Sequence, residues 1–165
     1  MNNIKLFQEK KIRSVWNEEE QQWYFSVVDV VGVLTDSVNP TDYLKKMRKR
    51  DEELATYLGT TCPQVEMVTD TGKKRKTLAA NVQALFRIIQ SIPSPKAEPF
   101  KLWLAQVGYE RVQEIENPEL AQERMKELYE QKGYPKDWID KRLRGIAIRQ
   151  NLTDEWKERG ITEKS

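Results

Sequence analysis

The stretch SVVDVVGVLTDSVNPTDYLKKMRKR, residues 26–50, predicts two short helices separated by a tight break. Ser26 suits the N-cap of the first helix, with Asp29 three residues later in the capping-box position. Residues 36–38 interrupt the helical pattern, and Asn39-Pro40 then supplies a cap and a first helical residue for the second helix. The first helix has apolar residues at i, i+3, i+4 and i+7, which predict one buried stripe: Val27, Val30, Val31 and Leu34.

The second helix carries a dense basic face. Its inward side comprises Tyr43, Leu44, Met47, Asp51 and Leu54, which predicts a helix that continues to about Tyr57 and a loop at residues 59–63. Its outward side holds Thr41, Asp42, Lys45 and Lys49, flanked by Lys46 and Arg48. This is the layout of a helix-turn-helix, which offers the first turns of its second helix to a major groove. A solvated helix with lysines for solubility is the competing interpretation, and Asp42 is interpreted as an anion favoured at a helix N-terminus rather than as a base contact.

The net charge of +2 is unevenly spread along the chain. Residues 39–50 hold five cations against one anion, a local charge of +4, and residues 70–78 hold four against one, a local charge of +3. The remaining residues therefore carry −5. Two basic segments on an otherwise acidic chain favour a binding site for a polyanion.

Composition removes most enzyme classes. The 165 residues contain no histidine and one cysteine, which excludes Ser-His-Asp and Cys-His catalysis and zinc sites built on histidine or several thiolates. No glycine-rich phosphate loop is present, and only a carboxylate metal site stays open. We therefore expect no enzymatic activity and no cofactor. No apolar run approaches the length of about 18 residues that indicates a membrane span, and we expect a cytoplasmic protein that does not bind membranes.

Two β-hairpins flank the basic helix. Residues 4–7 are a candidate edge strand, and residues 12–16 and 22–25 are stronger strands around an acidic loop. Their aromatic residues, Trp16, Trp23 and Phe25, are interpreted as core rather than as base-stacking platforms. A second hairpin turns at residues 70–72 and returns through Lys73, Lys74, Arg75 and Lys76. These cations predict a wing that reaches phosphates or a minor groove, or an edge strand that lysines protect from aggregation.

Four further helices are predicted. One follows the cap Asn81, and one begins at about Lys96 with Trp103 as a packing residue. Charged helices with narrow apolar stripes follow at residues 117–132 and 136–150, and they need a packing partner. Residues 151–165 are polar and are interpreted as a tail or as the start of a longer C-terminal region.

Two blocks of the sequence resemble the N-terminal domain of the BRO family, which is shared with phage and prophage antirepressors. The block WYFSVVDVVGVLTDSVNPTDYLKK, residues 23–46, is similar to the family's aromatic strand, Asp-Val helix and Asn-Pro start of the basic helix. The block at residues 70–112 is similar to its Gly turn, returning strand and Ala-x-x-Phe-x-x-Trp pattern, here Ala97, Phe100 and Trp103. The resemblance covers residues 4–112 and departs in two places: much of residues 51–64 is an insertion here, and Gly108-Tyr109-Glu110 stands where the family tends to have a proline-bearing segment. It implies nucleic-acid binding and a role in regulating phage or mobile elements.

Together these observations predict an α+β, winged helix-turn-helix-like domain at residues 1–112 and a helical extension at residues 113–165. Thr41, Lys45 and Lys49 are predicted to face the major groove of double-stranded DNA. The phosphate contacts are assigned to Lys46, Arg48 and Arg50, and the wing contacts to Lys73, Lys74, Arg75 and Lys76. The alternative is a protein-interaction module that displaces a repressor without contacting DNA. A homodimer through the C-terminal helices suits either function, and a shared surface for the two basic segments favours DNA.

Overall fold

A computed structural model describes residues 11–160 and contains two β-hairpins that join into one antiparallel sheet. The first hairpin is β1, Ser14–Asn17, and β2, Gln22–Ser26; the second is β3, Gln64–Val68, and β4, Lys74–Ala80. Strands β2 and β4 pair through Phe25 with Ala80 and Ser26 with Ala79, which gives the strand order β1-β2-β4-β3. The predicted α+β class is confirmed. The candidate strand at residues 4–7 lies outside the described residues.

Residues 11–160 also contain seven α-helices. They are α1 Val27–Leu34, α2 Pro40–Arg50, α3 Glu52–Thr61, α4 Val82–Ser91, α5 Glu98–Glu116, α6 Glu119–Gln131 and α7 Lys136–Glu158. The predicted caps are present, because the side chains of Ser26, Asn39 and Asn81 accept hydrogen bonds from backbone amides three residues later. These caps satisfy amides that have no partner within the helix, and so they fix where α1, α2 and α4 begin.

The prediction of one long basic helix was wrong at its C-terminal half. Asp51 has an extended backbone, and its side chain accepts a hydrogen bond of 3.0 Å from the amide of Leu54. It is therefore the N-cap of a separate helix, α3, and not a residue inside α2. The predicted loop at residues 59–63 was also wrong for residues 59–61, because α3 extends to Thr61 before the chain enters β3.

The main core lies between one face of the sheet and helices α1 to α4. The predicted stripe of α1 is buried, and Leu54 and Leu58 of α3 and Leu85 of α4 are fully buried beside it. Because side chains alternate along a strand, neighbouring residues serve opposite faces. Phe25 and Ala80 join this main core, while Tyr24, Met67 and Ala79 form a smaller cluster on the other face. The core thereby fixes α1, α2 and both hairpins against one sheet.

The first part of α5 completes this core. Phe100 is buried, and the ring of Trp103 meets those of Phe86 and Phe100 edge-on, with centroids 5.9 and 6.0 Å apart. This arrangement confirms that Trp103 is a packing residue. A proline-bounded 3-10 turn at Pro95–Ala97 separates α4 from α5 and orients Phe100 inward.

The chain divides into two compact units, one through Val107 and one from Gly108. In the second unit, α6 and α7 form a helical hairpin around Gly133, which has a positive φ of 84°. The prediction that the last helix ends at Gln150 was wrong, because α7 continues to Glu158. The helix stops at Gly160, whose φ of 73° is a left-handed conformation that glycine adopts without steric cost. The polar composition of residues 151–158 therefore marks an exposed helix rather than a tail.

Candidate nucleic-acid interface

The basic face of α2 is oriented by its caps and by its two buried residues. Asn39 accepts a hydrogen bond of 3.1 Å from the amide of Asp42, and Pro40 occupies the first turn. Leu44 and Met47 are buried. At about 100° per residue, the opposite side of the helix presents Lys45 and Lys49, and both are exposed. The local sequence therefore determines which cations point outward.

The cations that flank this face have different surroundings. Lys46 forms an exposed ion pair of 3.1 Å with Asp42, one turn earlier in α2, and such pairs contribute only a few tenths of a kcal/mol. Arg48 is half-buried and lies near Cys62. Burial raises the pKa of the Cys62 thiol to about 11, and the Arg48 charge opposes that rise. Arg50 is exposed at the end of α2, where the helix dipole favours a cation.

The second hairpin carries its cations on both faces. Gly72, with a φ of 81°, forms the predicted turn, and the amide of Thr69 donates to the Lys73 carbonyl oxygen at 2.7 Å. Alternation along β4 sends Lys74 and Lys76 to one side and Arg75 to the other. Within β4, Lys76 lies opposite Glu66, Arg75 opposite Met67, and Lys74 opposite Val68. Lys73 to Lys76 are all exposed, so the hairpin carries positive charge on both of its faces.

A cleft of about 590 Å³ lies between the first turn of α2 and strand β4. Thr41 of α2 lines it together with Arg75 and Lys76 of β4. Lys45 and Lys49 follow Thr41 at i+4 and i+8, about 40° and 80° further around α2. The helix face thus begins at the cleft and turns progressively away from it. Of the ten predicted contact residues, three line the cleft: Thr41, Arg75 and Lys76.

Two cations of the cleft, Lys11 and Arg13, were missed from the sequence. Both belong to the basic run KKIR at residues 10–13, which a charge count over that window would have found. Arg13 precedes β1, and its side chain lies at the cleft because of a partner that is distant in sequence.

That partner is Asp29, in the first turn of α1. The Arg13 guanidinium donates to both carboxylate oxygens of Asp29, at 2.7 Å and 3.1 Å, and to the Val68 carbonyl oxygen at 3.2 Å. The hydrogen bond to Asp29 raises the pKa of Arg13. The predicted capping box is therefore half formed: the Ser26 hydroxyl accepts from the Asp29 amide, while the Asp29 carboxylate binds Arg13. This network connects α1, the segment before β1 and β3 at one side of the cleft.

The first hairpin is acidic and aromatic. Trp16 and Trp23 lie opposite each other, with ring centroids 5.4 Å apart, yet 40% and 48% of their surfaces are exposed. The prediction that these two residues are core was wrong, because the described helices do not cover this end of the sheet; for Phe25 it was correct. The tip is held by its own side chains, since the Trp16 indole donates to Glu18 at 2.7 Å and the Tyr24 hydroxyl donates to Glu20.

The hydroxyl of Tyr24 makes the first hairpin sensitive to alkaline pH. Its hydrogen bond to Glu20, together with burial, raises the pKa of Tyr24 to about 12, above the unfolded value of about 10. The stabilisation is therefore fully present below about pH 10 and is lost as the pH rises through 12. Tyr24→Phe should lower the free energy of unfolding at pH 9 and have a smaller effect at pH 11.5. Urea denaturation at both pH values measures this, with Tyr109→Phe as an exposed control; equal losses at both would contradict it.

Other kinds of site find no support among residues 11–160. No group of three or more His, Cys, Asp or Glu side chains in that range is suited to hold a metal ion. In the same range, no helix is both long and apolar enough to cross a membrane. The cleft and the two basic segments beside it are therefore the candidate site that the described residues present.

Comparison with known proteins assigns the domain to a family. The model of the BRO family, N-terminal domain, matches residues 11–110, which include every residue of the cleft and of both basic segments. Searches of curated proteins and of solved structures each gave no match. The family match covers more than half of the chain and agrees with the resemblance carried by the two sequence blocks. The chain therefore belongs to the BRO family, a family of antirepressor-like regulatory proteins.

Proposed function

We propose that this protein binds double-stranded DNA as a regulator of a phage or prophage element. In this proposal α1 and α2 act as a helix-turn-helix and hairpin β3–β4 acts as its wing, with α3 inserted between them. The observation that carries the proposal is the cleft, in which Thr41 of α2 and Arg75 and Lys76 of β4 line one space. The first turn of the basic helix and the basic strand β4, which are separated by residues 51–69 in the sequence, thus line the same cleft.

The charges of this surface suit a polyanion. No ion pair within residues 11–160 involves Lys45, Lys49, Arg50 or the cations of β4. They are available to replace the counterions that surround duplex DNA, and the release of these ions favours binding at low salt. Lys46 would exchange its exposed Asp42 partner for a phosphate at little cost, because exposed pairs are weak.

The position of each cation suggests a division of roles. Thr41 and Lys45 lie in the N-terminal and central turns of α2, the part of a recognition helix that meets base edges, and Lys49 continues the same side in the last turn. Lys46, Arg48 and Arg50 lie at its flanks and end, where phosphates are the natural partners. The cations of the second hairpin, Lys73 to Lys76, would contact the neighbouring backbone or minor groove.

A salt series tests the proposal. Fluorescence anisotropy with duplex DNA should give an affinity that falls steeply with salt. Lys45→Ala/Lys49→Ala should weaken binding and reduce the slope of log K against log salt by about two, because each lysine removed leaves one cation fewer to displace counterions from the DNA. Lys136→Ala/Lys157→Ala, which removes the same charge from exposed positions of α7, should leave the slope unchanged. Absence of binding at low salt, or equal slopes for both variants, would exclude the basic face as a DNA contact.

A second candidate function has an observation of its own. The exposed pair Trp16 and Trp23 lies on a hairpin whose loop holds three glutamates, residues 18–20. Exposed aromatic residues are enriched at protein interfaces, and negative charge beside them disfavours nucleic acid. This hairpin is suited to a repressor protein, as the interaction-module alternative requires. Trp16→Ala/Trp23→Ala would then abolish repressor binding and leave the DNA salt slope unchanged.

A further inference from the structure

Helix α7 extends well beyond its partner in the second unit. Helix α6 has 13 residues and α7 has 23, and so short a connection between them makes the pair antiparallel. At about 1.5 Å per residue, the C-terminal part of α7 outruns α6 by about 15 Å. The closed end is fixed by aromatic rings: Tyr134 stacks on Trp138 at 4.4 Å, and Tyr129 meets them edge-on at 5.5 and 5.2 Å.

The extending part of α7 carries an apolar stripe. Ile148, Leu152 and Trp156 follow at i, i+4 and i+8, which places them along one side of the helix. Their exposed fractions are 60%, 44% and 44%. The inward side of α7 is supplied by other residues, of which Ile139 is fully buried. Three large exposed apolar side chains in one row form a larger apolar patch than the scattered single residues that are normal on a protein surface.

The stripe is complementary to the same stripe on a second copy of α7 that runs in the opposite direction. Inverting α7 about Gln150 places Ile148 opposite Leu152 and Trp156 opposite Arg144 and Gly145. Gly145 has no side chain, and a Cβ added there would meet no atom within 4 Å, so the indole ring of a second copy can approach the helix backbone at this position. The ends carry opposite charges: Arg144 lies before the stripe and Glu155 near its end, both exposed.

We propose that two copies of this protein pair through antiparallel α7 helices about a two-fold axis near Gln150. Ile148 packs against Leu152 of the second copy, Trp156 packs over the backbone at Gly145, and Arg144 pairs with Glu155. Such a self-matching interface closes as a dimer. Because each copy contributes three large side chains, the interface belongs to the small, concentration-dependent class. The pairing does not depend on DNA binding, and the dimer would carry two basic faces.

Charge reversal tests this arrangement. Arg144 and Glu155 are 11 residues apart on one helix, a separation of about 16 Å, so they cannot pair within one chain. In sedimentation equilibrium of the full chain, Arg144→Glu and Glu155→Arg should each raise the dimer dissociation constant about tenfold, because each creates repulsion twice in the dimer. The double variant should restore the wild-type constant. Lys157→Glu, a reversal on the opposite side of α7, should leave it unchanged.

Leu152→Ser provides an independent measurement. It removes an apolar contact at the centre of the interface and should give a monomer at concentrations where the wild type is dimeric. Circular dichroism shows whether α7 stays helical in each variant. A wild type that remains monomeric at the highest soluble concentration, a dimer that survives Leu152→Ser, or a double reversal that fails to restore association would overturn the proposal. DNA binding by a monomer would leave the proposed function intact.

Discussion

Leu54→Ala is expected to lower the free energy of unfolding by about 2 to 5 kcal/mol. The Leu54 side chain is fully buried in the main core, where it packs with Leu58 and with the buried residues of α1 and α4. Truncation removes apolar contacts and leaves a cavity that a well-packed interior only partly refills. The effect should be of this size because the side chain is fully buried. Helix α3 also lies between the basic helix and the second hairpin in the chain, so its packing bears on both.

Urea denaturation followed by circular dichroism measures the loss. Thr56→Ala, at an exposed position of the same helix, is the matched control and should change stability by no more than about 0.5 kcal/mol. The slope of the unfolding free energy against urea should stay constant, which shows that compactness is unchanged. A loss below about 1 kcal/mol for Leu54→Ala would mean that the site is solvated rather than packed.

The misassignment of α3 has a physical origin. Leu44, Met47, Asp51, Leu54 and Leu58 are spaced by three and four residues, which is the pattern of one continuous helix. Periodicity alone therefore does not reveal the break. The missed signal is the run Asp51-Glu52-Glu53, an N-cap residue followed by two acids suited to the first turn of a new helix. The inserted residues that depart from the family resemblance are largely this helix.

Local signals predicted the parts of the site that local interactions determine. The caps Ser26 and Asn39 and the turn at Gly72 each act through neighbours within a few residues, and all three are present. The cleft could not be predicted in this way. It requires the pairing of β2 with β4 and the contact of Arg13 with Asp29, 16 residues away. Both depend on how distant segments pack, which sequence spacing does not encode.

The outcome for the first hairpin follows the same logic. Alternation correctly predicts that Trp16, Trp23 and Phe25 share one face of the sheet, because β1 and β2 pair in that register. It does not reveal how far along the strand the helices cover that face. Phe25 lies under the helices and is buried, whereas the tryptophans lie nearer the turn and are exposed. The sequence thus predicts which face of the sheet an aromatic residue lies on more readily than it predicts how deeply that residue is buried.

Arg75→Glu/Lys76→Glu is expected to weaken DNA binding about 100-fold or more near 0.1 M salt, because two phosphate contacts become two repulsions. Both residues are exposed and line the cleft beside Thr41, and alternation along β4 sends their side chains to opposite faces of the hairpin. Lys76 lies opposite Glu66, so the reversal also places two carboxylates opposite each other, at a small cost in stability. The neutral variant Arg75→Gln/Lys76→Gln separates this local effect from the loss of binding, and anisotropy titration measures all variants.

The matched comparison lies in the same hairpin. Lys73→Glu/Lys74→Glu makes the same change in charge nearer the turn, at exposed residues that do not line the cleft. If DNA lies across the cleft, the reversal at residues 75 and 76 has the larger effect, and combining it with Lys45→Ala/Lys49→Ala gives less than the product of the separate effects, since both act on one bound segment. If the reversal at residues 73 and 74 dominates, the hairpin tip contacts the DNA and the cleft does not. Unchanged affinity in both charge-reversal variants would show that the wing does not contact DNA. The basic face of α2 would then be the remaining candidate contact.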